Sequence, residues 1–491
     1  MSILGLFRIG KEALLAQQRA MNVTSNNIAN ANTPGYSRQR AIFTPTEPVD
    51  AGGIPIGGGV RIREVERITD QALNNQLLRE HQQLAFDQRM STGLSRIEGV
   101  FGEVEDSGIS SSLGELFQAV QDLSNNPSGN VERQLVVQRA TSLGDLIRST
   151  NDRLTSLQND ANQSIDSVVR EIDTLATQIG NMNRQIFLRE GSGKTAAALR
   201  DQRDQLMTQL SEKVDFTSFE RSDGQVAIFV AQGLFLVDGS SVGQLRAQPS
   251  AASNPPRFEI FHDVSGSIAG PVTTLIQGGE LGGLIALRDS VLPSEKSALD
   301  EFTFTLADRL NQVHQAGFGL TDDVSRRFFV DRATGGSFAS VAGAASQITL
   351  NPLLAADPQR IAAGSTSLGP GLGAAPGDNA GALALAGVES ISQAVFQVGD
   401  PVAGPASGAT ATIAGFFGGI VGGLGARLQD GERKATQQDL VVSELQSRQS
   451  ALSGVSIDEE VAELIKLQHA FQAGARVITT VDRMLETLLS I

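Results

Sequence analysis

Both ends of this chain carry amphipathic-helix patterns, and these matched ends limit its possible folds more than any other feature. Near the amino terminus, apolar residues recur at heptad spacing, namely Ile3, Phe7, Leu14, Met21 and Ile28. Near the carboxyl terminus, a row with the same spacing contains Ile457, Val461, Leu464, Gln468, Phe471, Ile478, Leu485 and Leu489. Such spacing predicts helices that pack against other helices.

Neither terminal helix is expected to be stable alone. Burying one apolar side chain contributes about 1.5–3 kcal/mol, whereas ordering the backbone of each residue costs about 1–2 kcal/mol. An isolated helix with one apolar row cannot meet that cost. We therefore predict that residues 1–35 and 456–491 form one axial assembly domain, in which the helices pair and contact neighbouring subunits.

Composition excludes several kinds of chemistry. The 491 residues contain no cysteine, so disulfides, thiolate metal sites and cysteine nucleophiles are ruled out. A formal net charge of −15 disfavours nucleic-acid binding, which needs a basic face. Only 5% of residues are aromatic, and the four histidines are scattered singly. We expect no cofactor, no metal site and no catalytic residue.

The patterning predicts a mainly α protein with a β insert, built as an elongated multi-domain rod. The paired terminal helices form an axial coiled-coil domain, followed by a helical-bundle middle domain and a small outer β-rich domain. The middle domain is assigned to residues 36–212, 278–320 and 378–455, and the outer domain to 213–277. Residues 321–377 form a Gly- and Ala-rich segment that could belong to the outer domain.

Individual segments support this division. An apolar heptad row from Leu143 to Ile186 predicts one long helix. Strand-like runs at 216–219 and 226–230 flank Asp223-Gly224, a turn sequence that predicts a hairpin. Glycine and proline between residues 34 and 59 predict a linker with short strands.

Gly239 to Gly243 fits the G-x-S-x-G pattern of a hydrolase nucleophile, with Ser241 as the serine. No helix-forming run follows it, and the downstream histidines form no triad pattern. We interpret the segment as a turn between strands. A serine hydrolase centred on Ser241 is kept as an alternative.

Two further segments resemble binding motifs. Gly191 to Thr195 resembles the end of a phosphate-binding loop, but Leu188 stands where that motif needs its first glycine. The acidic triplet 458–460 suggests a metal site, yet it lies where a helix amino terminus favours negative charge. We interpret the first segment as a turn between helices and the second as the start of the last helix.

A membrane-anchored coiled-coil protein is another alternative. Residues 401–426 carry no charge, and Gly415, Gly419 and Gly423 have the spacing of packed membrane helices. The apolar part, residues 413–424, is shorter than the roughly 20 residues that span a bilayer. We therefore predict a packed soluble helix and no membrane insertion.

One segment between the first helix and the linker is distinctive. It reads Asn26-Asn27-Ile28-Ala29-Asn30-Ala31-Asn32-Thr33-Pro34-Gly35-Tyr36-Ser37-Arg38-Gln39 and is called here the Asn-rich segment. It resembles the amino-terminal motif of the bacterial flagellar axial family, which comprises rod, hook and hook-associated proteins. Segments 199–214, 282–317 and 453–489 are similar to the hook-associated members at the hook–filament junction.

The resemblance implies a structural adaptor that forms the first junction layer between hook and filament. It implies an assembly interface that includes the apolar rows and, in the Asn-rich segment, Asn26, Asn27, Asn30, Asn32, Thr33, Gly35 and Tyr36. The implied partners are copies of itself in a ring, hook protein below, and a second hook-associated protein and filament subunits above. A flagellar rod or hook protein is the alternative closest in kind.

The resemblance also implies export by the flagellar type III apparatus with an export chaperone, and an extracellular location. No cleaved signal peptide is expected, because Arg8, Lys11 and Glu12 interrupt the first apolar stretch.

Overall fold

The computed structural model describes residues 3–50, 55–102, 108–192, 195–250, 256–264, 267–394 and 410–489. It confirms a mainly α protein with a β insert and paired terminal helices. The division of the chain into the four predicted parts stays a prediction. No helix among the described residues is long and apolar enough to cross a membrane.

Twelve α-helices are found in the described ranges. Their bounds are α1 Ile3–Ala29, α2 Gln71–Phe101, α3 Ile109–Asn125, α4 Asn130–Gly191, α5 Ala197–Lys213, α6 Gly279–Ala286, α7 Leu292–Gln315, α8 Ala344–Gln347, α9 Pro352–Ala356, α10 Ala380–Gly387, α11 Ile413–Ser453 and α12 Ile457–Leu489. A π-helical turn, Leu287–Val291, joins α6 to α7. The predicted long heptad helix is the middle of α4, which has 62 residues.

The strands pair antiparallel within several small sheets. Their bounds are β1 Gln39–Pro45, β2 Val49–Asp50, β3 Pro55–Ile56, β4 Val60–Arg67, β5 Phe216–Glu220, β6 Val226–Val230, β7 Leu234–Asp238, β8 Ser241–Val242, β9 Gln244–Ser250, β10 Arg257–Val264, β11 Ser267–Pro271, β12 Phe329–Asp331, β13 Ile348–Leu350, β14 Ser367–Gly369, β15 Leu372–Ala374, β16 Gln393–Ala394 and β17 Thr410–Ala411. The β insert consists of a sheet in the order β5-β6-β7-β8 and another in the order β11-β10-β9.

The hairpin predicted around Asp223-Gly224 is present, with Phe216 paired to Val230 and Glu220 to Val226. Gly224 has a φ of +79°, a conformation that favours glycine over residues with a Cβ. The Asn183 side chain in α4 donates to the carbonyl oxygens of Val226 and Gly239, each at 2.8 Å. The β insert is therefore attached to α4 by buried hydrogen bonds.

The chain divides into two compact units. One comprises Met1–Phe86, Asp166–Gly282 and Thr436–Ile491, and the other comprises Asp87–Ile165 and Gly283–Ala435. The second unit has a continuous apolar core that includes Phe302 and Phe417, whose ring centroids are 5.0 Å apart. The first unit holds both terminal helices, the β insert and the Asn-rich segment.

The predicted linker is more ordered than its glycine and proline content suggested. β1 and β4 pair from Gln39–Arg67 to Pro45–Val60, with a bulge between Ile42 and Phe43. The hairpin packs on α1, since a Cβ added at Gly59 would lie 3.5 Å from Ile9 Cα. Apolar and charged residues alternate along much of β4 and give the hairpin one more apolar face, which can pack against α1.

Candidate assembly interface

The two terminal helices lie side by side and antiparallel. Gly10 of α1 is next to Ile478 of α12, Leu14 is next to Gly474, and the Asn27 side chain is bonded to that of Glu460. Residue numbers rise along α1 as they fall along α12, so the register is constant over about five turns. Each terminal helix thus supplies a packing surface that the other needs.

The two helices approach closely where glycine faces a branched side chain. A Cβ added at Gly10 would lie 2.9 Å from Ile478 Cγ1, and one at Gly474 would lie 3.2 Å from Leu14 Cδ2. The first distance is too short for a real Cβ, and the second is tight. The glycines therefore act as holes for the opposing side chains.

The most buried row of α1 consists of small and polar residues. They are Gly10, Ala16, Ala20, Thr24 and Asn27. The predicted row of larger residues lies beside it: Leu14, Met21 and Ile28 are half-buried, and Phe7 is 37% exposed. The Ile3 side chain lies outside the described residues. This larger row is therefore only partly covered within one subunit.

The predicted row of α12 is also partly covered. Leu464, Phe471, Ile478 and Leu485 are half-buried, whereas Gln468 is exposed. Ile457 and Val461 are 48% and 40% exposed. The Leu489 side chain lies outside the described residues.

The predicted row of α12 does not include the two most buried apolar side chains in the described part of this helix, Leu467 and Val481. They lie next to the predicted row rather than in it. Leu467 and Val481 are two heptads apart and form, with Glu460 and Gly474, a parallel row that is offset by one residue from the predicted one. The charged and glycine members of that row hide it from a search for apolar residues. Helical-wheel placement at 100° per residue could have found them.

The Asn27 side chain joins four chain segments at the base of the helix pair. Its amide nitrogen donates to Gln39 O and Glu460 Oε2, both at 2.8 Å. Its Oδ1 accepts from Tyr36 Oη at 2.8 Å and from the Gln39 backbone nitrogen at 3.1 Å. Both amide hydrogens and both lone pairs of the oxygen are thereby used. Asn27, Tyr36, Arg38, Gln39 and Glu460 are called here the Asn27 cluster.

Glu460 is held by charge as well as by Asn27. Arg38 Nε donates to Glu460 Oε1 at 2.7 Å, and Arg38 Nη1 donates to Glu459 Oε2 at 2.8 Å. Glu460 is only 3% exposed and lies in the first turn of α12, where the helix dipole favours negative charge. The acidic triplet therefore begins the last helix, as predicted, and two of its carboxylates also bind Arg38.

The turn of the Asn-rich segment rests on α5. Gly35 has a φ of +74°, and a Cβ there would lie 2.2 Å from Gln205 Nε2. Gln205 Nε2 donates to Pro34 O. Only glycine combines this conformation with this close approach.

A nearby ion-pair group joins β4 to the same helix. Arg67 contacts Asp201 Oδ1 at 2.7 Å and Asp204 Oδ2 at 2.6 Å. Burial raises the pKa of the Asp201 carboxyl, while the Arg67 charge acts to lower it. Burial, followed by the Asp201 charge, raises the pKa of Tyr36 to about 12, so its hydroxyl stays protonated and donates to Asn27.

Other polar residues of the Asn-rich segment bond locally. Asn26 Nδ2 donates to Tyr36 Oη at 3.3 Å, and Asn30 Nδ2 donates to Asn26 O at 2.9 Å. Thr33 Oγ1 donates to Asn30 Oδ1 at 3.2 Å, and Asn32 is exposed. The predicted interface residues of this segment thus shape its turn. Their contact with neighbouring subunits stays a prediction.

Three segments that are distant in sequence border one cleft of about 360 Å³ in the first unit. The Asn-rich segment supplies Gly35, Tyr36 and Ser37, α5 supplies residues from Arg200 to Thr208, and the end of α11 supplies Ser453. These are parts of the segments on which the family resemblance rests. The structure therefore brings the distinctive residues of the sequence together.

Ser241 does not occupy a nucleophile elbow, which requires a strand, a sharp turn and a helix. It lies in β8, is paired with Asp238, and is followed by strand β9. The nearby His262 places Nε2 2.8 Å from the Phe235 carbonyl oxygen.

Other segments singled out in the sequence lie within or beside helices. Gly191 ends α4 and α5 begins at Ala197, while residues 193 and 194 lie outside the described residues. Of the uncharged stretch, residues 401–409 lie outside the described residues. Its apolar part begins α11 and buries Ile413, Phe417 and Leu424 in the core of the second unit.

Three family models match parts of the chain. Residues 94–329 match the model described as "Flagellar hook-associated protein FlgK helical domain". Residues 7–36 match "Flagella basal body rod protein", and residues 448–491 match "Flagellar basal body rod FlgEFG protein C-terminal". The last two matches coincide with the helix pair and the Asn-rich segment.

Relatives that align over nearly the whole chain are also described as flagellar hook-associated proteins. The chain is 28% identical to flagellar hook-associated protein 1 of Bacillus subtilis, over 98% of this chain and 96% of that protein. It is 26% identical to flagellar hook-associated protein 1 of Salmonella typhimurium, over 97% of this chain and 98% of that protein.

A solved structure has a similar fold. The hook junction protein FlgK from Burkholderia pseudomallei aligns with a TM-score of 0.63 and 16% identity. The alignment covers 77% of this chain and all of that one.

Proposed function

Because the chain belongs to the family of flagellar hook-associated protein 1, we propose that its subunits form the first layer of the junction between the flagellar hook and the filament. It is a structural component of the bacterial flagellum. The observation that carries the proposal is the antiparallel pair of terminal helices, which leaves apolar side chains exposed on both helices.

Exposed apolar side chains on the helix pair supply the driving force for assembly. Ile457, Val461 and Phe7 are each more than a third exposed in the single subunit. Covering one such side chain contributes up to about 1.5–3 kcal/mol, and neighbouring subunits that present the same rows provide the cover. Copies of the chain thereby form a ring, with hook protein below and a second hook-associated protein and filament subunits above.

The protein acts as an adaptor without catalysis or cofactor. Its distinctive residues join helices and turns through hydrogen bonds and ion pairs, as the Asn27 cluster and the Arg67 group do. Such groups fix how the helices and turns of the subunit lie against one another. A defined subunit structure of this kind suits an adaptor between hook and filament.

The subunit reaches its site outside the cell through the flagellar type III export apparatus, with the help of an export chaperone. At the growing end, neighbouring subunits then cover the exposed rows of the helix pair.

Deletion of the gene tests the proposal. We expect cells with complete hooks and no filaments, with filament protein released into the medium. Plasmid-borne wild-type protein should restore filaments. Normal filaments in the deletion strain would overturn the proposal.

A rod or hook protein is the second candidate, because the matches at 7–36 and 448–491 are to rod-protein models. The same deletion strain separates the two: a rod or hook protein would leave cells without hooks. The match of residues 94–329 to the helical domain of a hook-associated protein favours the junction.

A further inference from the structure

Heptad rows alone do not determine how two helices align lengthwise. A shift of α12 along α1 by one heptad keeps one apolar row in contact, since Leu464, Phe471, Ile478 and Leu485 follow at seven-residue steps. The same shift would put Leu467 or Val481 in the place of Gly474 opposite Leu14, so the close packing at this glycine already opposes it. A polar contact that exists in only one register adds a second selection.

The Asn27 cluster distinguishes the registers. Asn27 is 1% exposed and Glu460 is 3% exposed, so neither side chain has water as an alternative partner. A shift of seven residues would place Leu467 or Ser453 opposite Asn27 instead of Glu460. The shift to Leu467 would leave the Asn27 amide hydrogen and the Glu460 carboxylate without each other, which is strongly unfavourable for buried groups.

The cluster also connects the register to the rest of the first unit. Arg38, which holds Glu460, donates its backbone nitrogen to Ser453 O at 2.8 Å, and Ile68 donates its backbone nitrogen to Arg38 O at 2.8 Å. Asn27 itself is bonded to the backbone of Gln39 at both ends of its amide. The start of β1, the end of α11 and the start of α12 are thereby fixed relative to α1.

We propose that Asn27 is a positioning residue: through its bond to Glu460 it selects one register of α12 on α1 and so presets the helix pair that the subunit offers for assembly. A single buried asparagine has this role in coiled coils, where it selects register at the expense of stability. Only the consequence for assembly rests on the proposed function. The register itself is a property of the subunit.

Cysteine cross-linking of the full-length chain tests the register. The protein has no cysteine of its own, so Leu14→Cys with Gly474→Cys introduces one adjacent pair. In this background Asn27→Asp keeps the size of the side chain but removes its donors and faces Glu460 with a second carboxylate. Adding Glu460→Gln supplies an amide nitrogen at residue 460 that can donate to the carboxylate introduced at residue 27. The bond is then present with donor and acceptor exchanged.

The matched control is Asn22→Asp, the same substitution at an exposed position of α1. We expect Asn27→Asp to slow disulfide formation between residues 14 and 474 about tenfold or more and Asn22→Asp to leave it unchanged. The exchange with Glu460→Gln should recover part of the rate, because the bond of residue 27 to Gln39 O and the ion pair of Arg38 with residue 460 stay lost. Cross-linking in Asn27→Asp as fast as in the parent would overturn the proposal. So would a loss that Glu460→Gln does not reduce at all, since that would mean that Asn27 acts without Glu460.

Filament attachment in cells is a separate readout. If cross-linking follows the expected order but Asn27→Asp cells still build filaments, the register role holds and its link to assembly is wrong. If a deletion strain has normal filaments, the proposed function fails without affecting the cross-linking result.

Discussion

Ile478 of α12 lies directly over Gly10 of α1, and a Cβ at residue 10 would be 2.9 Å from its Cγ1. The two helices are therefore too close at this point for any side chain larger than that of glycine at residue 10.

Gly10→Leu should separate the terminal helices. The added side chain overlaps Ile478, and overpacking of this kind costs about 1–3 kcal/mol, although leucine favours helix more than glycine does. We expect faster amide exchange in α12 and few or no filaments. Unchanged exchange in α12 would show that the close approach is not required.

Gly418→Ala should have the opposite effect. Gly418 is in the interior of α11 and nothing lies within 4 Å of an added Cβ. Alanine in an exposed helix is more favourable than glycine by up to about 1 kcal/mol. We expect a higher midpoint of thermal unfolding for the second unit, and a lower midpoint would contradict the open space seen around this residue.

Phe471→Asp should abolish incorporation into the flagellum, because it would bury a charge in the assembled interface. The β insert should remain folded, since the buried hydrogen bonds that attach it come from Asn183 of α4 and not from α12. Gln472→Asp, at an exposed neighbouring position, is the control. Filament attachment in cells and circular dichroism of the purified variants are the measurements, and normal filaments with Phe471→Asp would refute the role of this row.

Gly35→Ala should destabilise the turn of the Asn-rich segment. Alanine disfavours a φ of +74° by about 1–2 kcal/mol, and its Cβ would also collide with Gln205. Adding Gln205→Ala removes the collision but leaves the backbone strain. We therefore expect chemical denaturation to show partial recovery in the double variant. Equal stability of Gly35→Ala and the native chain would contradict the left-handed conformation.

His314 should make the second unit less stable in mild acid. It is fully buried, its Nδ1 donates to Arg326 O at 2.7 Å, and its Nε2 accepts from the Ala362 nitrogen at 3.0 Å. Burial lowers its pKa from 6.5 to about 4. Because the folded-state pKa lies below that of the unfolded chain, its contribution is complete above about pH 6.5 and declines as the pH falls towards 4.

The free energy of unfolding, measured between pH 7 and pH 5 by urea denaturation, checks this dependence. His314→Gln should reduce the loss of stability over that range, even if it lowers stability throughout. His469→Gln, at an exposed position of α12, is the control and should leave the loss unchanged. An identical pH dependence for His314→Gln and the native chain would contradict the prediction.

Local patterns predicted the elements that depend on local sequence. Heptad spacing indicated α1, α12 and most of α4, and the Asp223-Gly224 turn indicated the hairpin of β5 and β6. These predictions succeeded because periodicity and turn conformation are determined by neighbouring residues.

Contacts between distant segments could not be predicted in this way. Asn27 and Glu460 are 433 positions apart, and nothing near either residue identifies the other. Gly10 is buried on α1 because Ile478 of α12 approaches closely there, which a scale that rewards large apolar residues does not detect. The available signal for the buried face of α1 was a row of small residues at helical spacing that ends at the polar Asn27.

The antiparallel pair consists of the first and the last helix of the chain. The surface that covers α1 is supplied by residues 457–489, more than 400 positions further along the chain. Pairing the two helices therefore closes one long loop, and the loss of chain entropy on closure must be met by contacts made at its two ends. Contacts of such high sequence separation form late in folding, after the segments between them have gained their local structure.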